Sequence, residues 1–201
     1  MPHFQLSASI PKNLYQIYRD ENVPGDLARC MNRLASDNPE WQHTLVTDTS
    51  AEKFVKDHYG RAVLKLYLRI NPDYGPARAD LIRYLLLYRF GGVYMDIKSH
   101  GVLNGVIHPN DQFLVSQWPN KDFAHWGEHD ELQAITGGEY QQWCLASVAG
   151  HPFLRAVICR VLWNISAYNP FLHGTGKKGV LRVTGPITPA TWPPSASVCR
   201  N

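Results

Sequence analysis

The sequence predicts a single α/β domain built on a mainly parallel central sheet flanked by helices, and three observations carry that prediction. Short apolar runs fit for strands alternate with segments of helical period between residues 10 and 70. The stretch PARADLIRYLLLYRFGGVYMDIKSH, residues 76–100, reads as an apolar helix, a Gly-Gly stop and a buried strand. A third pattern follows Pro152, where Phe153, Leu154, Val157, Ile158, Val161, Leu162 and Ile165 recur as one helical stripe.

In order along the chain, IPKNLYQIY (10–18) is expected to be the first strand, and Asp20 to Gly25 breaks it. Leu27, Met31 and Leu34 fall at helical spacing, and the helix ends before Asn38 and Pro39. Thr44 to Thr47 is a second strand, and Asp48 to Ser50 caps a helix through Tyr59. A further helical segment covers Arg61 to Ile70. In the central unit, Pro76 suits a first helical turn, Ala77 to Phe90 are the helix, and Val93 to Ile97 the strand. Phe113 to Trp118 is another strand; Glu139 to Ala149 fits helix or strand; Asn169 to Gly179 is expected to be a loop; residues 187–201 are expected to be an irregular tail.

Composition narrows the function. With 201 residues and 44% hydrophobic content, one substantial core is affordable, and no linker or repeat divides the chain. A net charge of +3, with basic residues spread out, argues against nucleic acid as a partner. No apolar run is long enough to span a bilayer, so a cytoplasmic protein is expected, with peripheral membrane contact left open. Cys30, Cys144, Cys159 and Cys199 are scattered without a C-x-x-C pair and read as thiols.

The central helix puts charge where burial is expected. Asp80 and Arg83 share one face of a helix that is apolar on most of its circumference, and a buried charge needs a partner or a ligand. They fit a structural i, i+3 ion pair as well as a binding site. Asp96 follows an apolar strand, at the end where α/β sheets bind ligands; a strand-end Asp is also a common turn cap.

IPKNLYQIY, ARADLIRYLLLYRFGGVYMDIKS, QQWCLASVAGHPFL and VLRVTGP together resemble glycosyltransferase family 32, with its capsular-polysaccharide-type and yeast mannosyltransferase-like enzymes, over roughly residues 10–186. The central pattern also resembles the sugar-transferring domains of large clostridial toxins. The resemblance implies a GT-A type nucleotide-sugar-binding fold, a nucleotide-sugar donor, a glycan or glycolipid acceptor, a divalent cation (Mn²⁺ or Mg²⁺) and retention of anomeric configuration. By resemblance Asp96 is the first carboxylate of an Asp-x-Asp element, Tyr94 lies against the nucleoside, and Asp80 and Arg83 grip donor sugar hydroxyls. Tyr18 stands where the family pattern has Trp and would stack on the base. The departure is Lys98, which replaces the second carboxylate. Either Asp96 holds the metal with a distant ligand such as His173, or Lys98 itself neutralises diphosphate. The rival readings are a non-catalytic nucleotide-sugar or glycan-binding domain and a metal-dependent phosphohydrolase using Asp96 as nucleophile, which Lys98 disfavours.

Overall fold

The computed structural model describes residues 1–118, 129, 132 and 139–185. Its elements are β1 (Asn13–Ile17), α1 (Gly25–Asp37), β2 (Gln42–Val46), α2 (Asp48–Tyr67), α3 (Gly75–Phe90), β3 (Gly92–Met95), β4 (Phe113–Gln117), β5 (Tyr140–Ser147), α4 (Pro152–Ser166), α5 (Pro170–His173) and α6 (Gly176–Val183). The strands form one sheet in the order β2-β1-β3-β5-β4. β1 pairs in parallel with β2 and β3, whereas β5 runs antiparallel between β3 and β4. Four strands therefore point one way and one runs against them, a mixed sheet.

Strand alternation sends side chains to two cores. Tyr15, Tyr94, Val115 and Leu145 pack on one face with α2, α3, α4 and α6. Leu14, Val93, Met95 and Ala146 pack on the other face with Leu34 of α1 and with Trp41 and Leu103. The sheet is thus the middle of three layers.

α3 is buried from Ala77 to Tyr88 except at Ala79, which explains its near-continuous apolar sequence. Pro76 opens it, and Gly91, at φ 67°, closes it with its N–H on Leu87 O at 2.9 Å. The second glycine does more than end a helix. A Cβ on Gly92, at φ 115°, would lie 2.5 Å from Asn13 O, so the pair also lets β3 come against β1. The two helical segments expected on either side of Gly60 are one element kinked at that residue, φ 78° and ψ 177°. Thr47 caps it through a reciprocal box with Ser50.

Three expectations need revision. Residues 169–179 are not a loop: Pro170–His173 is a single turn capped by the Asn169 side chain, and Gly176 begins α6. The 139–149 ambiguity resolves as the strand Tyr140–Ser147. β3 stops at Met95, and Ser99 N–H donates to Asp96 O at 2.8 Å, so residues 96–99 form a turn in which Lys98 is exposed. The strand expected to run to Ile97 therefore ends before Asp96. The expected tail at 187–201 lies outside the described residues.

Candidate active site

The carboxyl end of β3 delivers Asp96 to the sheet edge, and three hydrogen bonds fix its backbone. Its N–H donates to Trp143 O at 2.8 Å, and its carbonyl accepts from Ser99 N and from Gln16 Nε2 at 3.1 Å. The side chain remains 45% exposed. A carboxylate held at the backbone and open to solvent is suited to a ligand that arrives already solvated. Its Oδ1 accepts from the Tyr94 hydroxyl at 2.6 Å and lies 3.8 Å from Arg83 Nη1; Oδ2 has no partner among the described residues.

Behind Asp96, α3 contributes Asp80 and Arg83, both almost wholly buried. Arg83 Nη2 donates to Asp80 Oδ1 at 2.5 Å, and Nη1 donates to the Gln142 carbonyl at 2.5 Å. The guanidinium lies 4.6 Å above the Tyr94 ring centroid. Thr184 Oγ1 donates to Asp80 Oδ2 at 2.8 Å. Burial pushes the Asp80 carboxyl above its ordinary value, and the neighbouring Arg83 and the Thr184 hydroxyl oppose that rise without cancelling it. For Arg83 burial acts downward and is outweighed by Tyr94, Asp80 and Asp96, which keep it charged. Burial raises the Tyr94 phenol well above its ordinary value, so it stays a proton donor to Asp96. Arg78, on the same helix, makes a useful contrast: its bonds run to Ile70 O and Asp48, on the packing side of the helix.

The structure therefore joins Asp80, Arg83, Tyr94 and Asp96 into one cluster. Tyr18 sits one residue past β1 at the same sheet edge, half-buried, its N–H on Val46 O. Lys98 is exposed on the turn and makes no ion pair among the described residues. His173 is not brought to Asp96: it belongs to α5, where Nδ1 engages Asn169 and the ring faces Tyr168. Among the described residues no three His, Cys, Asp or Glu groups gather as a metal cage. The donor set at Asp96, one carboxylate with a free oxygen and a lysine two residues on, fits a cation that brings most of its own ligands as substrate phosphate and water.

Gln16, Gln142 and Thr184 are contributors the sequence reading missed or left without a role. Gln16 is fully buried in β1, a polar residue at an inward strand position, and its Oε1 meets His43 Nε2 at 3.0 Å. Such a position is a signal readable from alternation alone. Gln142 Nε2 and the Tyr84 hydroxyl are buried and have no hydrogen-bond partner among the described residues. Next to Gln142 in sequence, Glu139 engages His129, and Gln141 Oε1 accepts from Ser116 Oγ and Trp143 Nε1.

Comparison with known proteins points the same way. Residues 24–104, which include Asp80, Arg83, Tyr94 and Asp96, match the family described as glycosyltransferase sugar-binding region containing DXD motif. Inositol phosphoceramide mannosyltransferase 2 of Schizosaccharomyces pombe is 31% identical over 180 residues, covering 89% of this chain and 45% of that protein. Inositol phosphoceramide mannosyltransferase 3 of the same yeast is 29% identical over 154 residues (76% and 37%). Initiation-specific alpha-1,6-mannosyltransferase of Candida albicans is 26% identical over 178 residues (79% and 44%). The chain spans less than half the length of these relatives. In structure it is similar to the PaToxG glycosyltransferase, with TM-score 0.61 and 16% identity over 92% of this chain and 68% of that one, and the two share a fold. By the motif match and the mannosyltransferase relatives, residues 24–104 belong to the DXD-containing, family-32-like glycosyltransferase sugar-binding region.

Proposed function

We propose that this chain transfers a hexose, mannose on the names of its relatives, from a nucleotide-sugar donor to a glycan or glycolipid acceptor, with retention of configuration. The observation that carries the reading is the half-exposed Asp96 carboxylate, held at its backbone and backed by the buried Asp80–Arg83 pair.

In the reaction the acceptor oxygen bonds to the anomeric carbon and the bond from that carbon to the diphosphate oxygen breaks, its electron pair going to the diphosphate. The acceptor proton passes to the diphosphate oxygen released. Positive charge develops on the sugar carbon and negative charge on the leaving group, and preorganised groups lower the barrier by meeting both. Asp80 and Arg83 orient sugar hydroxyls, and the unpartnered Gln142 Nε2 offers a further donor to them. Tyr94 fixes the rotamer of Asp96 through its hydroxyl. Lys98 adds positive charge for the diphosphate, and Tyr18 flanks the base. Asp96 would hold a divalent cation, Mn²⁺ or Mg²⁺, which when bound supplies Lewis-acid stabilisation of the leaving diphosphate. We assign the reaction to the cytoplasm, on the scattered spacing of Cys30, Cys144, Cys159 and Cys199, which holds no C-x-x-C pair.

Donor binding is tested by thermal shift with a panel of nucleotide sugars with and without Mn²⁺, since a ligand of the folded state raises its melting temperature. Turnover is tested by donor hydrolysis and transfer in wild type and Asp96→Asn. The variant should fold normally and lose activity; unchanged turnover removes Asp96 from the mechanism. The lysine at position 98 favours a second reading, a nucleotide-sugar-binding domain without catalysis, and donor binding with no turnover in wild type would select it.

A further inference from the structure

The single turn α5 displays two apolar side chains outward: Phe171 is 96% exposed and Leu172 75%. The turn is not frayed chain. Asn169 caps it by accepting from Phe171 N at 2.9 Å, and the Tyr168 hydroxyl donates to Gly174 O at 2.9 Å just beyond it. A fixed turn that aims its largest apolar residues at water is stable only because its surroundings hold it, and such exposure marks a contact surface.

The surroundings are apolar on one side and basic on the other. Tyr168 and α6 wall a cavity of about 190 Å³ whose lining includes Ile70, Tyr74, Ile165, Val180 and Val183. Tyr168 and Tyr74 are themselves 40% and 39% exposed, aromatic rings part in and part out of water. Arg69 also lines the cavity, and its guanidinium donates to Ser166 O. Lys177 and Lys178 are exposed on α6 and make no ion pair among the described residues, and a side chain on Gly174 would come within 4.0 Å of Lys178 and Arg182. The carboxylate closest along the chain to this rim is Asp73.

We propose that α5 and the start of α6 form an interfacial membrane-docking surface that inserts Phe171 and Leu172 among the lipids of an anionic bilayer, with Lys177 and Lys178 on the headgroups. Apolar insertion and basic attraction are the two terms that hold peripheral proteins on anionic membranes. Charge argues for lipid over a second copy of this chain. A two-fold contact through α5 would set Lys177 and Lys178 against the same lysines of the other molecule, and like charges in apposition oppose pairing. The lining of the cavity includes Thr184, whose hydroxyl donates to Asp80.

The test is sedimentation of the full chain with vesicles of phosphatidylcholine alone or with added phosphatidylserine. No nucleotide sugar is needed, so the result stands apart from that of the transferase assay. Wild type should bind the anionic vesicles and release them at high salt. Phe171→Ser with Leu172→Ser should weaken binding by at least about tenfold, from loss of apolar insertion. Lys177→Gln with Lys178→Gln should weaken it about fivefold per lysine and flatten the salt dependence. All four side chains are exposed, so thermal unfolding serves as a fold control and should not move. Absence of binding to anionic vesicles, or binding that survives the serine pair, overturns the proposal. So does wild-type self-association in sedimentation velocity that the serine pair abolishes, since the surface would then be a protein interface.

Discussion

Arg83→Lys separates the structural and the functional duties of the central pair. The guanidinium spans two acceptors at once, the Asp80 carboxylate and the Gln142 carbonyl, each at 2.5 Å, while its plane covers the Tyr94 ring. A lysine keeps the charge but concentrates its donors at one nitrogen, so it satisfies one acceptor and abandons the other. Losing one charge-assisted bond costs about 1.5–3 kcal/mol, and the lost stacking adds about 0.5–1 kcal/mol. For a domain of this size that corresponds to a fall in melting temperature of roughly 5–15 °C. The same substitution frees Asp80 to turn from its place, and kcat/KM per folded molecule should fall about a hundredfold. Scanning calorimetry and donor hydrolysis, each normalised to folded protein, give the two readouts. A melting temperature within about a degree of wild type refutes the spanning role. A large stability loss with normal kcat/KM would make the pair purely structural. Thr184→Val, which removes the other donor to Asp80 without changing shape, should be non-additive with Arg83→Lys because both act on one carboxylate.

Lys98→Asp restores a second hard oxygen beside Asp96 and should tighten Mn²⁺ binding by calorimetry in the presence of nucleoside diphosphate, from a wild-type dissociation constant in roughly the millimolar range; equal affinities would mean that position 98 does not face the cation. Gly92→Ala should destabilise by about 3–5 kcal/mol in urea unfolding, since its Cβ meets Asn13 O, whereas Gly60→Ala, with open space and only a positive φ, should cost about 1–2 kcal/mol; equal costs would refute the close-approach argument. Burial lowers the pKa of His151, stacked on Phe113, below its ordinary 6.5, and does the same to His43. The unfolded chain then binds more protons than the folded one below about pH 6.5, and stability declines as pH falls from there toward the folded-state values. His151→Phe should reduce that decline between pH 7 and about pH 5 in melting experiments, and an unchanged slope would show that His151 is not a source of it.

The parts of the molecule legible in the sequence were those governed by local rules. Gly91–Gly92 closing α3, the break at Gly60 and the stripe of α4 follow from backbone freedom and period, and all three stand in the fold. The pairing of Asp80 with Arg83 is an i, i+3 relation and was visible for the same reason. What escaped notice depends on partners far along the chain. Gln142 meets Arg83 through its carbonyl, which side-chain chemistry does not encode, and Thr184 looks like any residue of a helix end until Asp80 is beside it. α5 and the first four residues of α6 fall in the expected loop 169–179 because such short segments carry too little period to register. The strand expected through Ile97 ends at Met95, because residues 96–99 turn on the bond from Ser99 N–H to Asp96 O.

The bond between Thr184 and Asp80 closes a loop of 104 residues, and the one from Arg83 to Gln142 closes 59. Contacts of such separation form late, because loop closure must precede them. A growing chain could pair β1 with β2 and lay down α3 while both charges on that helix still lack their distant partners. Desolvating them at that stage is unfavourable, so water stays at Asp80 and Arg83 until β5 and α6 arrive. The bonds of the Asp80–Arg83 pair are consequently complete only when β5 and α6 are in place, and the amino-terminal half alone cannot assemble them.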